Sequence, residues 1–143
     1  MPDYKKILLV VDLSDDSRII GERARAIAAC YQSEITLLHV VEYVPVEPMG
    51  EALLPTVQIE SELVERARKR LAELATALSL GNCRQLVETG GIKTEIIRTA
   101  QRLNVDLIVL GSRERHGLAI LLNFTEDTIL HAAPCDVLAV RLH

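Results

Sequence analysis

The segment with the clearest capacity for chemistry spans residues 104–125 and reads NVDLIVLGSRERHGLAILLNFT. Its apolar first part predicts a strand, Gly111 and Ser112 predict a turn, and the rest predicts a helix. A glycine turn that leads into a helix exposes backbone N–H groups at the carboxyl edge of a sheet, where they can hold an anion, typically a phosphate. The segment therefore has the form of a phosphate-binding site.

Two side chains in this segment oppose phosphate binding. Positions that a phosphate loop needs to be small carry Glu114 and Phe124. Glycine lets backbone amides approach an anion, whereas a side chain holds the anion away. A carboxylate at ~4 Å from a like charge also costs roughly 4 kcal/mol at an effective dielectric constant of about 20. Arg113 and Arg115 offset part of that cost if they turn inward, and Thr125 still offers a hydroxyl.

Composition limits the class of protein. The 143 residues suit one domain, spanning 1–143. Hydrophobic residues make up 49% and aromatic residues 3%, so the predicted core is aliphatic. The net charge of −4 gives no overall attraction to nucleic acid or to an anionic membrane. We therefore expect no nucleic-acid partner. No apolar run approaches the roughly 20 residues of a bilayer span, so we also expect no membrane insertion.

The cysteines and the amino terminus indicate the compartment. Cys30, Cys83 and Cys135 are odd in number, widely spaced and free of a CxxC pair, which is typical of unpaired thiols in a reducing compartment. The first residues, MPDYKKILLVVD, lack the cleavage-site pattern of a secretory signal. We therefore expect a cytoplasmic protein.

Strand and helix patterns alternate from end to end. Continuous apolar runs predict strands buried on both faces, and apolar stripes at helical spacing predict helices between them. The predicted strands span 6–11, 34–41, 84–89, 106–110 and 136–142. The first predicted helix begins after an N-cap at Ser14, and the second spans 57–80 and ends before Gly81. The third follows Gly90-Gly91, and the fourth spans 123–132. This alternation predicts an α/β fold, a doubly wound, five-stranded parallel sheet with helices on both faces.

A long loop and the carboxyl ends of the predicted strands both bear on function. Residues 42–55 hold three prolines and a glycine and predict an irregular loop, of a length that often serves as a lid or a contact surface. Asp12 and the segments 40–41, 90–91 and 111–112 fall at predicted carboxyl ends of strands. Ligands of doubly wound sheets bind at those ends, where the winding direction reverses, so we expect the site there.

Four segments, in this order and spacing, resemble the universal stress protein family. They read KKILLVVDLSDDS at the start, ITLLHVVE in the second strand, VDLIVLGS in the fourth and APCDVLAV at the end. The resemblance covers essentially the whole chain. It implies a Rossmann-like fold similar to that of the adenine nucleotide alpha hydrolases, and a stress-response or regulatory role.

The resemblance also implies where a nucleotide binds. ATP-binding members carry a phosphate loop of the form G-x2-G-x9-G-(S/T). Gly111 matches the first glycine, Asp12 the acid that approaches the nucleoside, and Val40 the residue whose backbone reads the adenine edge. Glu114 replaces the second glycine, and Asn123-Phe124 replaces the final Gly-Ser pair one residue short of the usual distance.

These departures resemble the branch of the family that lacks the phosphate loop. We expect weak ATP binding or none, and no other cofactor. The degenerate pocket comprises Asp12, Val40, Gly111, Ser112, Glu114, Asn123, Phe124 and Thr125.

The last strand predicts a different kind of site. DVLAVRL is apolar and carries no lysine or proline that would protect a sheet edge, and an exposed edge of that type usually pairs with another chain. The resemblance implies a homodimer by antiparallel pairing of the final strands. The predicted interface is Val137, Leu138, Ala139, Val140 and Arg141; a merely covered edge is the alternative.

Other chemistries have less support in the residues. A phosphoacceptor receiver domain shares the sheet order, but it needs an aspartate after strand three, where Glu88-Thr89-Gly90 stands, and a lysine after strand five. His39 lies inside an apolar strand as a satisfied histidine would, while His116 and His131 lack neighbours at metal-ligand spacing. No serine or cysteine shows a nucleophile-elbow pattern.

Three functions therefore compete. The first is a cytosolic, dimeric stress-response protein that acts through an unknown protein partner without turnover. The second is an ATP-dependent switch that uses the strand-end pocket and orders the loop at 42–55. The third, an enzyme that hydrolyses or transfers adenylate, ranks last because no catalytic constellation is present. Glu114 and Phe124 favour the first over the second.

Overall fold

The computed structural model describes residues 3–42, 53–113 and 129–142, with residues 53–58 and 113 by backbone only. Its centre is a 5-stranded sheet in the order β3-β2-β1-β4-β5, in which every neighbouring pair is parallel. The strands are β1 (Lys6–Val10), β2 (Glu34–Val41), β3 (Arg84–Thr89), β4 (Leu107–Arg113) and β5 (Asp136–Leu142). The predicted parallel sheet is confirmed, and β3 and β5 form its two edges.

Helices cover both faces of the sheet, as the alternating pattern predicts. The helices are α1 (Ser17–Tyr31), α2 (Leu53–Ala77) and α3 (Ile92–Leu103), and residues 129–132 are also helical. One core cluster joins α1 and α2 to the sheet, and a second joins α3 and Ile129 to its other face. Within the described part of the chain, no helix is long and apolar enough to cross a bilayer.

Side-chain alternation along β1 explains why its sequence is apolar throughout. Ile7 and Leu9 belong to the α1–α2 core cluster, whereas Leu8 belongs to the α3 cluster. All three side chains are at most 1% exposed. Because β1 is central and covered on both faces, a polar residue on either face would be buried without solvent.

The predicted boundaries of α1 and α2 need correction. Helix α1 begins at Ser17 with Asp16 in the cap position, so Ser14 is not its N-cap. Helix α2 begins at Leu53 rather than 57 and contains Pro55, because proline is tolerated in the first turn of a helix. The rest of the loop predicted at 42–55 lies outside the described residues, apart from Glu42.

The end of α2 also differs from the prediction. The helix ends at Ala77, and the left-handed residue after it is Ser79, with φ 58, rather than Gly81. The N–H of Leu80 donates to the carbonyl of Ala75 at 2.7 Å, and that of Ser79 to Thr76 at 3.1 Å. Such bonds satisfy the last carbonyls of a helix whether or not the left-handed residue is glycine.

Candidate functional site

The winding direction of the sheet reverses between β1 and β4. From β1 the chain moves to β2 and then β3, and it returns to pair β4 with the other side of β1. The carboxyl ends of β1 and β4 therefore border the crevice where doubly wound folds bind ligands. Asp12 lies two residues after β1, and Gly111 lies in the carboxyl half of β4.

Asp12 organises the turn that follows β1. Its Oδ1 atom accepts the backbone N–H of Ser14 at 2.9 Å and the hydroxyl of Ser17 at 3.2 Å. Leu13, between Asp12 and Ser14, has φ 64, a left-handed conformation that is unfavourable for residues other than glycine. The Asp12 side chain thus stabilises a tight, strained turn at the start of α1.

Two side chains from other elements bind the same turn. Nδ1 of His39 lies 2.8 Å from the carbonyl oxygen of Val11, so the ring must carry a proton on Nδ1 to donate this bond. Arg70 of α2 donates to the carbonyl of Leu13. The sequence predicts a satisfied strand histidine at position 39, and the Val11 bond agrees with that. Arg70 was missed, because it is one of several charged residues on an amphipathic helix.

The prediction of a turn at Gly111 and Ser112 is wrong. Strand β4 continues through Arg113, and Gly111, Ser112 and Arg113 pair with Val140, Arg141 and Leu142 of β5. Extended backbone is favoured here because β5 supplies a hydrogen-bonding neighbour that is distant in the sequence.

Gly111 has a packing role in this strand. A Cβ atom at this position would lie 2.6 Å from Cδ1 of Ile20 and 2.8 Å from Cδ1 of Leu142. These distances are shorter than carbon atoms tolerate without movement. The absence of a side chain therefore allows α1 and β5 to pack closely against β4.

The carboxyl end of β2 is fixed by β3 and the glycines that follow it. Val40 is 7% exposed and pairs with Glu88 of β3. The N–H of Gly90, with φ 136, donates to the carbonyl of Val41 at 3.2 Å. A Cβ atom on Gly90 would also lie 3.2 Å from Oε1 of Glu95. Only glycine adopts that backbone conformation readily.

Four residues of the predicted pocket lie outside the described residues: Glu114, Asn123, Phe124 and Thr125. The structure thus brings Asp12 and Gly111 to neighbouring strand ends and places Val40 one strand further along. In the described ranges, no group of three or more His, Cys, Asp or Glu side chains is arranged to hold a metal ion.

Two of the three thiols, Cys83 and Cys135, have a raised pKa. Burial raises the pKa of Cys83 and also of Cys135, and nearby acids add to both shifts. A raised pKa lowers the fraction of reactive thiolate at neutral pH. All three cysteines are free of disulfide bonds. Neither of these two thiols has the environment of a catalytic cysteine.

Strand β5 is an edge strand that is bonded to β4 alone within the described sheet. Of the predicted interface residues, Ala139 and Arg141 are exposed, Val137 and Leu138 are half-buried, and Val140 is buried. The hydroxyl of Tyr4 donates to Oδ2 of Asp136 at 2.7 Å and holds the start of the strand.

Known proteins resemble this chain along most of its length. The family model named Universal stress protein family matches residues 3–141. Universal stress protein A homolog 2 of Coxiella burnetii is 38% identical over 143 residues, which cover 99% of this chain and 98% of that protein. The structure of universal stress protein UspA from Lactobacillus plantarum has a TM-score of 0.74 at 29% identity, with coverage of 97% of this chain and 99% of that chain.

A universal stress protein solved in complex with cAMP has a TM-score of 0.63 and covers 96% of this chain and 97% of its own. At 19% identity, that likeness shows the fold alone. The full-length relatives indicate one family, and the strand order and the switch point beside Asp12 agree with it. This chain belongs to the universal stress protein family.

Proposed function

We propose that the protein is a cytoplasmic, non-catalytic stress-response protein, a single domain over residues 1–143 that forms a homodimer and acts through contact with a protein partner. Family membership supports the role in the stress response. The observation that carries the proposal is the apolar edge strand β5. The open side of such a strand is a template for pairing with another chain.

In the proposed dimer, β5 of one copy pairs antiparallel with β5 of a second copy. Such an interface uses the same patch on both copies and closes on itself, which limits further assembly. Residues Val137–Arg141 supply the backbone ladder. The apolar composition of β5 supports this pairing, because only Asp136 and Arg141 in the strand carry charge.

Val140→Pro tests the dimer. Proline removes a backbone N–H and fixes φ, so it disrupts pairing along the strand. We expect the variant to sediment as a monomer at concentrations where the natural protein is a dimer. Because Val140 also pairs with Gly111, circular dichroism must show that the variant is folded. A folded variant that remains a dimer would contradict the interface.

We further propose that ATP binds weakly or not at all. Two of the three matches to the nucleotide-binding pattern have structural roles of their own: Gly111 admits Ile20 and Leu142, and Asp12 bonds the turn that follows β1. Their presence therefore does not require a nucleotide. Glu114 stands at the motif's second glycine, where a carboxylate would add a like charge beside a triphosphate.

An ATP-binding switch at the same strand ends is the second candidate. It is supported by the position of Asp12 at the switch point and by the fold-level similarity to the protein in complex with cAMP. In that case the nucleotide would bind beside Asp12, Val40 and Gly111 and change a contact surface.

Calorimetric titration with ATP and Mg²⁺ separates the two candidates. We expect no micromolar binding by the natural chain and at least tenfold tighter binding by the variant Glu114→Gly, Asn123→Gly, Phe124→Ser. A strict count of the motif places its last glycine at residue 124, so a second variant, Glu114→Gly with Phe124→Gly, retains Thr125 as the hydroxyl. Micromolar binding by the natural chain would favour the switch, and no gain in either variant would contradict our account of the loop.

A further inference from the structure

Two hydrogen bonds connect the turn after β1 to distant parts of the chain. His39 lies 28 residues from Val11, whose carbonyl it binds, and Arg70 lies 57 residues from Leu13. The first donor comes from β2 and the second from α2. The turn is therefore held by the sheet on one side and by a helix on the other.

The turn is in a conformation that it would not adopt alone. Leu13 is left-handed, with φ 64, although it has a branched side chain and is buried. The Oγ atom of Ser14 is buried, and no hydrogen-bond partner for it is found in the described part of the chain. A strained backbone raises the free energy of a segment. Such conformations persist only when surrounding contacts impose them.

The strained conformation is what orients Asp12. Both bonds to its Oδ1, from the N–H of Ser14 and the hydroxyl of Ser17, close across the turn. If Leu13 relaxed to an ordinary conformation, the N–H of Ser14 would rotate away and the carboxylate would lose this bond.

We propose that Arg70 and His39 are positioning residues for the candidate site: they hold the turn in the conformation that fixes Asp12, and Arg70 makes the position of α2 part of that control. The role of Arg70 and His39 in holding the turn depends only on the described contacts. Its consequence for a nucleotide rests on the proposed pocket. A ligand or partner that displaces α2 would thereby loosen Asp12, and a ligand on Asp12 would favour the position of α2 seen here.

Amide hydrogen exchange of the full-length protein tests the role of Arg70. In Arg70→Met, we expect the Ser14 amide to exchange at least tenfold faster, with the central-strand amides of Leu37 and Val109 unchanged. Arg70→Lys should restore slow exchange, because one N–H donor is enough for the Leu13 carbonyl. Arg68→Met is the matched control, since Arg68 lies on the same helix and binds Glu65 at 2.9 Å.

His39 is tested in the same way with a pair of variants. His39→Leu removes the donor, whereas His39→Asn places an amide N–H close to the position of Nδ1. We expect faster exchange at Ser14 in the first variant and recovery in the second. Equal exchange in both would show that the Val11 bond does not hold the turn.

Two outcomes would overturn the role of Arg70. One is a Ser14 exchange rate in Arg70→Met equal to that in Arg68→Met. The other is faster exchange throughout the sheet, which would show a general contribution to stability. ATP titration of Arg70→Met in the variant with the restored phosphate loop gives a separate readout, where we expect at least fivefold weaker binding. If that variant binds no ATP even with Arg70 present, the pocket fails, while the exchange result still decides the positioning role.

Discussion

The two edge strands of the sheet differ in how they are protected. Strand β3 carries Arg84 and Glu88, and Arg102 of α3 lies 3.7 Å from Glu88. Its central residues border a groove of about 550 Å³ that Arg68 and Leu71 of α2 also line. Strand β5 is apolar between its first residue and Arg141.

The difference indicates which edge is better suited to pair with another strand. Charged side chains on an edge strand raise the cost of pairing with another strand, and natural sheets use them for that purpose. Strand β3 has such charges near both of its ends, whereas four consecutive residues of β5, from Val137 to Val140, have none. One edge is thus suited to solvent and the other to a second chain.

A lysine on the β5 edge should have the largest effect, and a lysine on the β3 edge is its control. Ala139→Lys places a charge on an exposed position of β5, and a twofold interface carries it twice. We expect the dimer dissociation constant to rise about 100-fold, or about 2.7 kcal/mol. Gln85→Lys on β3 should leave the dimer unchanged. Sedimentation velocity measures both, and equal effects would remove the distinction between the edges.

Glycine-to-alanine variants compare the tightness of packing beside β5 with that near β3. Gly111→Ala would press on Ile20 and Leu142, and we expect it to lower the free energy of unfolding by about 1–2 kcal/mol, because the ends of these side chains can shift in part. At Gly81, before β3, the nearest atom to an added Cβ is 4.0 Å away. Gly81→Ala should change stability by less than about 0.5 kcal/mol. Urea unfolding compares the two variants, and equal values would contradict the packing role.

Loss of the Tyr4 hydroxyl should have the smallest effect. The hydrogen bond to Asp136 is the main cause that raises the pKa of Tyr4 above its ordinary value. The folded protein therefore favours the protonated phenol, and the bond contributes fully below about pH 10 and is lost as the pH rises further. Tyr4→Phe should lower Tm slightly at pH 8 and by a smaller amount at pH 11. An identical difference at both pH values would show that the phenol proton is not involved.

The sequence predicts much of this fold because its strongest signals are local. Apolar runs mark β2, β3 and β5 with the bounds that the structure has, and alternation of strands and helices implies the parallel sheet. The error at Gly111 and Ser112 has a non-local cause. Those residues suit a turn by type, and only pairing with Val140 and Arg141 of β5 makes them extended.

The candidate site is less predictable for the same reason. The position of Asp12 follows from the end of an apolar strand, but the left-handed conformation of Leu13 has no sequence signal. The bonds from His39 and Arg70 cross 28 and 57 residues, so no local pattern reveals them. The effects expected of Glu114 and Phe124 remain predictions.

The central position of β1 has a consequence for biosynthesis. Strand β1 leaves the ribosome before β4, its neighbour on one side, and the Asp106 carboxylate that binds the Lys6 amide lies 100 residues later in the chain. At about 5–20 residues per second, translation takes roughly 5–20 s to supply that residue. Until then one flank of the nascent β1 has no native neighbour. Chaperones that shield apolar segments therefore have a defined interval in which to act on it.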